Sequence, residues 1–144
     1  MSEDLACSPE RARELHVLVV DDHATVRNGL TALLSTDPRI AVVDQATGET
    51  AVAVVQERRP DVVIMDIAMP VVDGAAATEA LVRHGCDVPV LLLTGRPDAE
   101  RIQAALEAGA LGFLTKDVDP DVLLAAVHLA ADGQWQPNGQ RDPA

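Results

Sequence analysis

Apolar residues in this chain gather in short unbroken runs, and between the runs they recur every three or four positions. Val17, Leu18, Val19 and Val20 make the first run, Ile40 to Val43 the second and Val62 to Met65 the third. Val88 to Leu93 follow as the fourth, and Gly112 to Thr115 as a short fifth. Runs of this length without polar alternation predict strands buried on both faces of a parallel sheet. After the first run, Val26, Leu30, Leu33 and Leu34 fall at i, i+4, i+7 and i+8. That is one stripe of an amphipathic helix from Ala24 to Ser35, which Asp37-Pro38 stops.

Four further helices follow from local signals. One opens at Thr47-Gly48 and runs to about Arg59, closed by Pro60. An Ala-rich helix follows the 71–74 loop, with Asp73 as N-cap and Gly85 as its terminal glycine. Asp98 caps the next, whose Ile102, Ala105 and Leu106 face inward and whose end is marked by Gly109. Asp119 followed by Pro120 starts the last, carried by Val122 to Ala131. Five strands thus alternate with five helices, and each crossover is long enough for parallel pairing. Right-handed crossovers bring all five carboxyl strand ends to one edge. Residues 1–14 read as a flexible leader, with a helical turn near Arg11 to Glu14. Residues 15–133 form one domain, and residues 134–144, with their Gln, Pro and Gly, read as a linker or tail.

At 144 residues there is room for one sizeable core. Phe113 and Trp135 are the only aromatics, so the core must be packed from Val, Leu, Ile and Ala. A formal net charge of −12 argues against this domain gripping nucleic acid or an anionic membrane through its own surface. Cys7 and Cys86 match neither a disulfide framework nor a metal site. With no long apolar run at the N-terminus, the expectation is a soluble protein of the cytoplasm with reduced thiols.

The candidate chemistry sits where the strands end. Asp21 and Asp22 follow the first run, Asp66 the third, Thr94 the fourth and Lys116, the only lysine, the fifth. Open α/β sheets place their sites on this rim. If these strands are neighbours, three carboxylates, one hydroxyl and one ammonium share a pocket. Two carboxylates about 4 Å apart repel by roughly 4 kcal/mol at an effective dielectric near 20, so a proton or a divalent cation must intervene. An all-oxygen donor set suits Mg²⁺, which keeps waters and favours phosphate-bearing partners. A carboxylate can then attack phosphorus while metal, ammonium and hydroxyl steady the transferring group. Taken singly, each residue has a plainer reading as a cap, a turn residue or a solvated charge. His23, beside the acidic pair, reads as a helix-start residue.

The motifs VLVVDD at 17–22, VVIMDIAMPVVDG at 62–74, VLLLTG at 90–95 and GFLTKD at 112–117 resemble those of receiver domains of bacterial two-component response regulators. The resemblance spans about residues 15–133. VRNGLTALL and AGALGFLTKD look like the subfamily bearing a C-terminal helix-turn-helix of the LuxR or NarL type. It implies a flavodoxin-like fold with strand order 2-1-3-4-5. It further implies Asp66 as phosphoryl acceptor from a sensor histidine kinase. Asp22 and Asp66 would hold Mg²⁺ directly, Asp21 through water, and Ala68 through its backbone carbonyl. Lys116 would pair with the acceptor and then with phosphoryl oxygens. Thr94 would donate its hydroxyl on activation, and Phe113 stands at the aromatic switch position. Tyr is more frequent there, and a Phe needs no polar partner when it turns inward.

These implications make the chain a phosphorylation-dependent switch rather than an enzyme. At most it would phosphorylate itself from small donors and slowly lose the phosphoryl group. Aspartate-dependent phosphatases are a rival, but as a family they place a second Asp two residues after the nucleophile, where this chain has Ala68. A stand-alone receiver acting through protein–protein contacts is the other alternative. The subfamily resemblance favours a DNA-binding domain downstream, outside these residues, with homodimerisation through the last helices as a further expectation.

Overall fold

The computed structural model describes residues 14–95 and 98–133, so the leader, Arg96 and the 134–144 tail lie outside the described residues, Glu14 excepted. The elements are β1 (Leu15–Val20), α1 (Ala24–Leu34), β2 (Ile40–Ala46), α2 (Ala51–Arg58) and β3 (Val62–Asp66). They continue with α3 (Gly74–Arg83), β4 (Val90–Thr94), α4 (Ala99–Ala108), β5 (Gly112–Thr115) and α5 (Pro120–Ala131). The strands form one parallel sheet in the order β2-β1-β3-β4-β5. This is the flavodoxin-like order that the motifs imply.

Each central strand is apolar up to its polar carboxyl end, His16 of β1 excepted, because it serves two cores. Successive side chains point to opposite faces of a sheet. Leu18, Val20, Val63, Met65, Val90 and Leu92 pack on one face with Ala51 and Val55 of α2, Ala77 and Leu81 of α3, and Ile102 and Ala105 of α4. Val17, Val19, Val62, Ile64, Leu91 and Leu93 pack on the other with Leu34 of α1 and Leu123, Ala126, Val127 and Ala130 of α5. A buried branched aliphatic contributes about 1.5–3 kcal/mol relative to exposure, so these two layers dominate the stabilisation.

Several element ends differ from the pattern in the sequence. β2 runs three residues further, to Ala46, because an edge strand can carry polar side chains. Arg27 Nε donates to Gln45 Oε1 at 3.2 Å, and Arg58 Nε donates to Asp44 Oδ2 at 3.3 Å. α2 begins at Ala51 rather than Thr47, because residues 47–50 close a turn instead. There the Thr50 N–H donates to the Thr47 carbonyl and the Thr47 N–H to Thr50 Oγ1. β4 starts at Val90, just after Pro89, whose nitrogen has no proton for a ladder bond. Asp73 and Asp98 cap α3 and α4 with their carboxylates as expected. Asp119 holds the N-cap position of α5 but makes no side-chain cap bond, so Pro120 at the first turn carries that start.

Candidate phosphoryl and cation site

Strand register is what assembles the site. Val20 lies opposite Met65, which sets Asp21 level with Asp66. Asp66 pairs with Leu93 and Thr94 with Thr115, so Thr94 and Lys116 each follow one step along the rim. The Lys116 N–H donates to the Thr94 carbonyl at 2.7 Å, tying the two loops together. On the other side of Asp66, Gly74 donates to the Ile67 carbonyl at 3.0 Å. A Cβ on Gly74 would sit 2.9 Å from Ile67 Cα, so only glycine lets α3 start this close to the acid.

Lys116 Nζ lies 3.5 Å from Asp66 Oδ1 and 3.7 Å from Asp21 Oδ2. Asp21 is fully buried, and its Oδ2 has no hydrogen-bond partner among the described residues. Asp66 is 6% exposed. Burial pushes the Asp66 carboxyl above its ordinary value; Lys116 pulls it down and Asp21 pushes it up again. The Ala68 N–H donates weakly to Asp66 Oδ1 at 3.4 Å. Asp66 and Lys116 open on a cavity of about 1020 Å³ also lined by His23, Ala68, Thr94, Gly95, Asp98 and Arg101. The acid is therefore desolvated by aliphatics beneath it yet reachable from outside.

Asp21 and Asp22 point different ways, as consecutive residues leaving a strand must. Asp22 Oδ1 accepts from the Gly48 N–H at 3.2 Å. The group whose ligand atoms lie within 4.8 Å of one another is Asp21, His23 and Asp66. His23 occupies the N-cap position of α1 without capping it by its side chain. Its ring turns to Asp21 instead, with Nδ1 3.2 Å from Oδ1, and its backbone N–H donates to the same oxygen at 2.8 Å. Nothing in the sequence beyond adjacency to the acid pair pointed to that orientation. Phe113 is half-buried and packs against the core layer that contains Ile102 and Ala105.

A buried carboxylate oxygen without a hydrogen bond, reached by the Lys116 ammonium only at 3.7 Å and clustered with a second carboxylate, suits a hard cation. The donor set of Asp21, Asp66 and neighbouring carbonyls fits Mg²⁺ on that ground.

The family profile of the response regulator receiver domain matches residues 17–128. The chain is a response regulator receiver. It is 39% identical over 121 residues to the transcriptional regulatory protein DegU of Brevibacillus brevis, covering 83% of this chain and 51% of that protein. It is 36% identical to the nitrate/nitrite response regulator NarP of Escherichia coli, over 85% of this chain and 57% of that one. The receiver of the putative response regulator NarL from Mycobacterium tuberculosis superposes with a TM-score of 0.79 at 33% identity, covering 84% of this chain and 98% of that one. The receiver thus has LuxR/NarL-type relatives, and it spans about half the length of the curated relatives it matches. Receivers in general bind Mg²⁺, are served by histidine kinases and are not themselves enzymes. Among the described residues no helix is long and apolar enough to cross a membrane.

Proposed function

We propose that this receiver is a phosphorylation switch in which Asp66 accepts a phosphoryl group from a sensor histidine kinase. The observation that carries the reading is Asp66 itself, a desolvated carboxylate 3.5 Å from Lys116 Nζ at the floor of an open cavity. One Asp66 carboxylate oxygen bonds to phosphorus as the P–N bond of phosphohistidine breaks. The bonding electron pair leaves on the imidazole nitrogen, which regains a proton from solvent. Lys116 already stands beside the acceptor oxygen and neutralises the added charge, while Thr94 at the adjoining strand end offers its hydroxyl to the phosphoryl oxygens. Asp22 and Asp66, the Ala68 carbonyl and, through water, Asp21 would hold Mg²⁺, which would supply the remaining positive charge.

The added charge biases the surface around α4 and β5, where Thr94 and Phe113 sit on neighbouring strands. Phe113 carries no hydroxyl that must stay hydrated, so its ring settles inward without phosphate more readily than a Tyr would. The likeness to DegU and NarP supports transcriptional output through a DNA-binding segment outside this chain. The protein surface here, at −12, is not suited to that contact.

Intact-mass analysis after incubation with acetyl phosphate and Mg²⁺ tests the reading. One phosphoryl adduct is expected, lost on chelation and lost in Asp66→Ala. An adduct that persists in the variant moves the acceptor elsewhere, and continuous release of phosphate makes the protein a phosphatase instead.

A further inference from the structure

We propose that His23 is a ligand of the cation site and biases it toward divalent first-row transition metals, which accept nitrogen, over Mg²⁺, which does not. The inference rests on the cation site described above and concerns which ion fills it. Three observations meet here. His23 Nδ1, Asp21 and Asp66 each present one ligand atom, all within 4.8 Å of one another. Asp21 Oδ2 is fully buried and has no hydrogen-bond partner among the described residues, and the Lys116 ammonium reaches it only at 3.7 Å, so the trio contains an acceptor that a closer cation can fill. The His23 main chain is pinned by its own N–H to Asp21 Oδ1 at 2.8 Å, which fixes where the ring begins.

Geometry allows a shared ion. Ligands bound at about 2.1 Å to one octahedral metal stand ~3.0 Å apart when cis and ~4.2 Å when trans. The 3.2 Å pair of His23 Nδ1 and Asp21 Oδ1 is therefore already near the cis value, and a pair at the 4.8 Å limit would close by ~0.6 Å to be trans. The ring is the mobile member, since the His23 side chain is 66% exposed whereas that of Asp21 is 1% exposed. A metal would take the place of the 3.2 Å contact between Nδ1 and Asp21 Oδ1. Chemistry then decides the occupant. Mg²⁺ takes oxygen donors and leaves an imidazole unused, while Mn²⁺, Fe²⁺, Co²⁺ and Ni²⁺ bind imidazole nitrogen in that rising order. With two carboxylates and one imidazole in place, the site has a nitrogen arm beyond its oxygen donors.

Co²⁺ is the probe, because its visible absorption and its hyperfine-shifted proton signals report on nitrogen ligation directly. The intact chain is titrated with Co²⁺ and, separately, with Mg²⁺, alongside His23→Ala and Asp66→Asn. The expected result is a hyperfine-shifted imidazole signal that is absent from His23→Ala, with Co²⁺ affinity falling about tenfold or more and Mg²⁺ affinity moving less than twofold. Asp66→Asn should abolish the same signal. Mg²⁺ binding with Co²⁺ affinity and spectrum unchanged in His23→Ala overturns this inference alone. Equal losses for both ions would also overturn it, reducing His23 to an organiser of the loop. A Co²⁺ signal surviving Asp66→Asn places the ion elsewhere and overturns it too. Failure of Co²⁺ alone to bind the unaltered chain overturns this inference only, whereas failure of Mg²⁺ to bind would sink the Mg²⁺-dependent switch on which it rests.

Discussion

Among the described residues Lys116 is the one lysine or arginine within 4 Å of the buried carboxylates, and its removal has a calculable consequence. At an effective dielectric near 20, its ammonium attracts Asp66 at 3.5 Å by about 5 kcal/mol and Asp21 at 3.7 Å by about 4.5 kcal/mol. The two carboxylates, up to 4.8 Å apart, repel by about 3.5 kcal/mol on the same scale. Lys116→Met leaves that repulsion uncompensated while keeping most of the aliphatic packing. The side chain is 32% exposed, so water screens part of the lost attraction, and the net destabilisation should be about 1–2 kcal/mol. A divalent cation can then replace the ammonium. Affinity for Mg²⁺ should rise about tenfold, and each tenfold adds about 1.4 kcal/mol of stabilisation at saturation.

The assay is urea unfolding followed by far-ultraviolet circular dichroism, run with chelator and across a Mg²⁺ titration. Lys116→Met should begin below the unaltered protein in chelator and overtake or match it at high Mg²⁺. Parallel Mg²⁺ dependence in the two proteins would refute the charge accounting, and so would a variant as stable as its parent in chelator.

Three other outcomes are expected. Phe113→Tyr should lower the population of the inward ring state in the unphosphorylated protein, read as changed α4 and β5 amide shifts and weaker binding of partners that select the active form; unchanged shifts and binding count against it. Gly48→Ala puts a Cβ 2.5 Å from the Val72 carbonyl oxygen, so stability should fall by about 2 kcal/mol, whereas Gly29→Ala, with open space and a helix interior, should gain about 0.5–1 kcal/mol in the same unfolding assay. Asp37 is held below its ordinary pKa chiefly by the 2.8 Å hydrogen bond with His128, then by the Arg39 N–H. A depressed carboxyl stabilises the fold above its unfolded value near 3.9 and loses that contribution as pH falls through the folded value. Asp37→Asn should therefore cost about 1 kcal/mol near neutrality and nothing in strong acid, checked by unfolding at both pH values.

The sheet was legible because burial on two faces demands uninterrupted aliphatics, and four such runs stand out in any reading of these residues. The site was legible at the level of strands: Asp66, Thr94 and Lys116 each follow an apolar run, and register does the rest. What the pattern could not reveal depends on rotation about single bonds. Asp22 turns to the Gly48 amide because a neighbouring turn, 26 residues on, presents a donor. His23 turns to Asp21 for a reason equally local to three-dimensional space. The extension of β2 escaped the pattern because Asp44 and Gln45 find partners on α2 and α1, contacts that a polar pair in sequence does not announce.

The two aliphatic layers have a practical corollary for anyone watching this molecule work. With no tyrosine, a single phenylalanine and its lone indole at position 135, ultraviolet emission would be nearly blind to rearrangement of the interior. The branched side chains that fill both sides of the sheet end in methyl groups, and isotope labelling of Val, Leu and Ile would place reporters in every layer. Leu93 and Leu92, adjacent on β4 yet on opposite faces, would tell which half of the molecule responds first when Asp66 is modified.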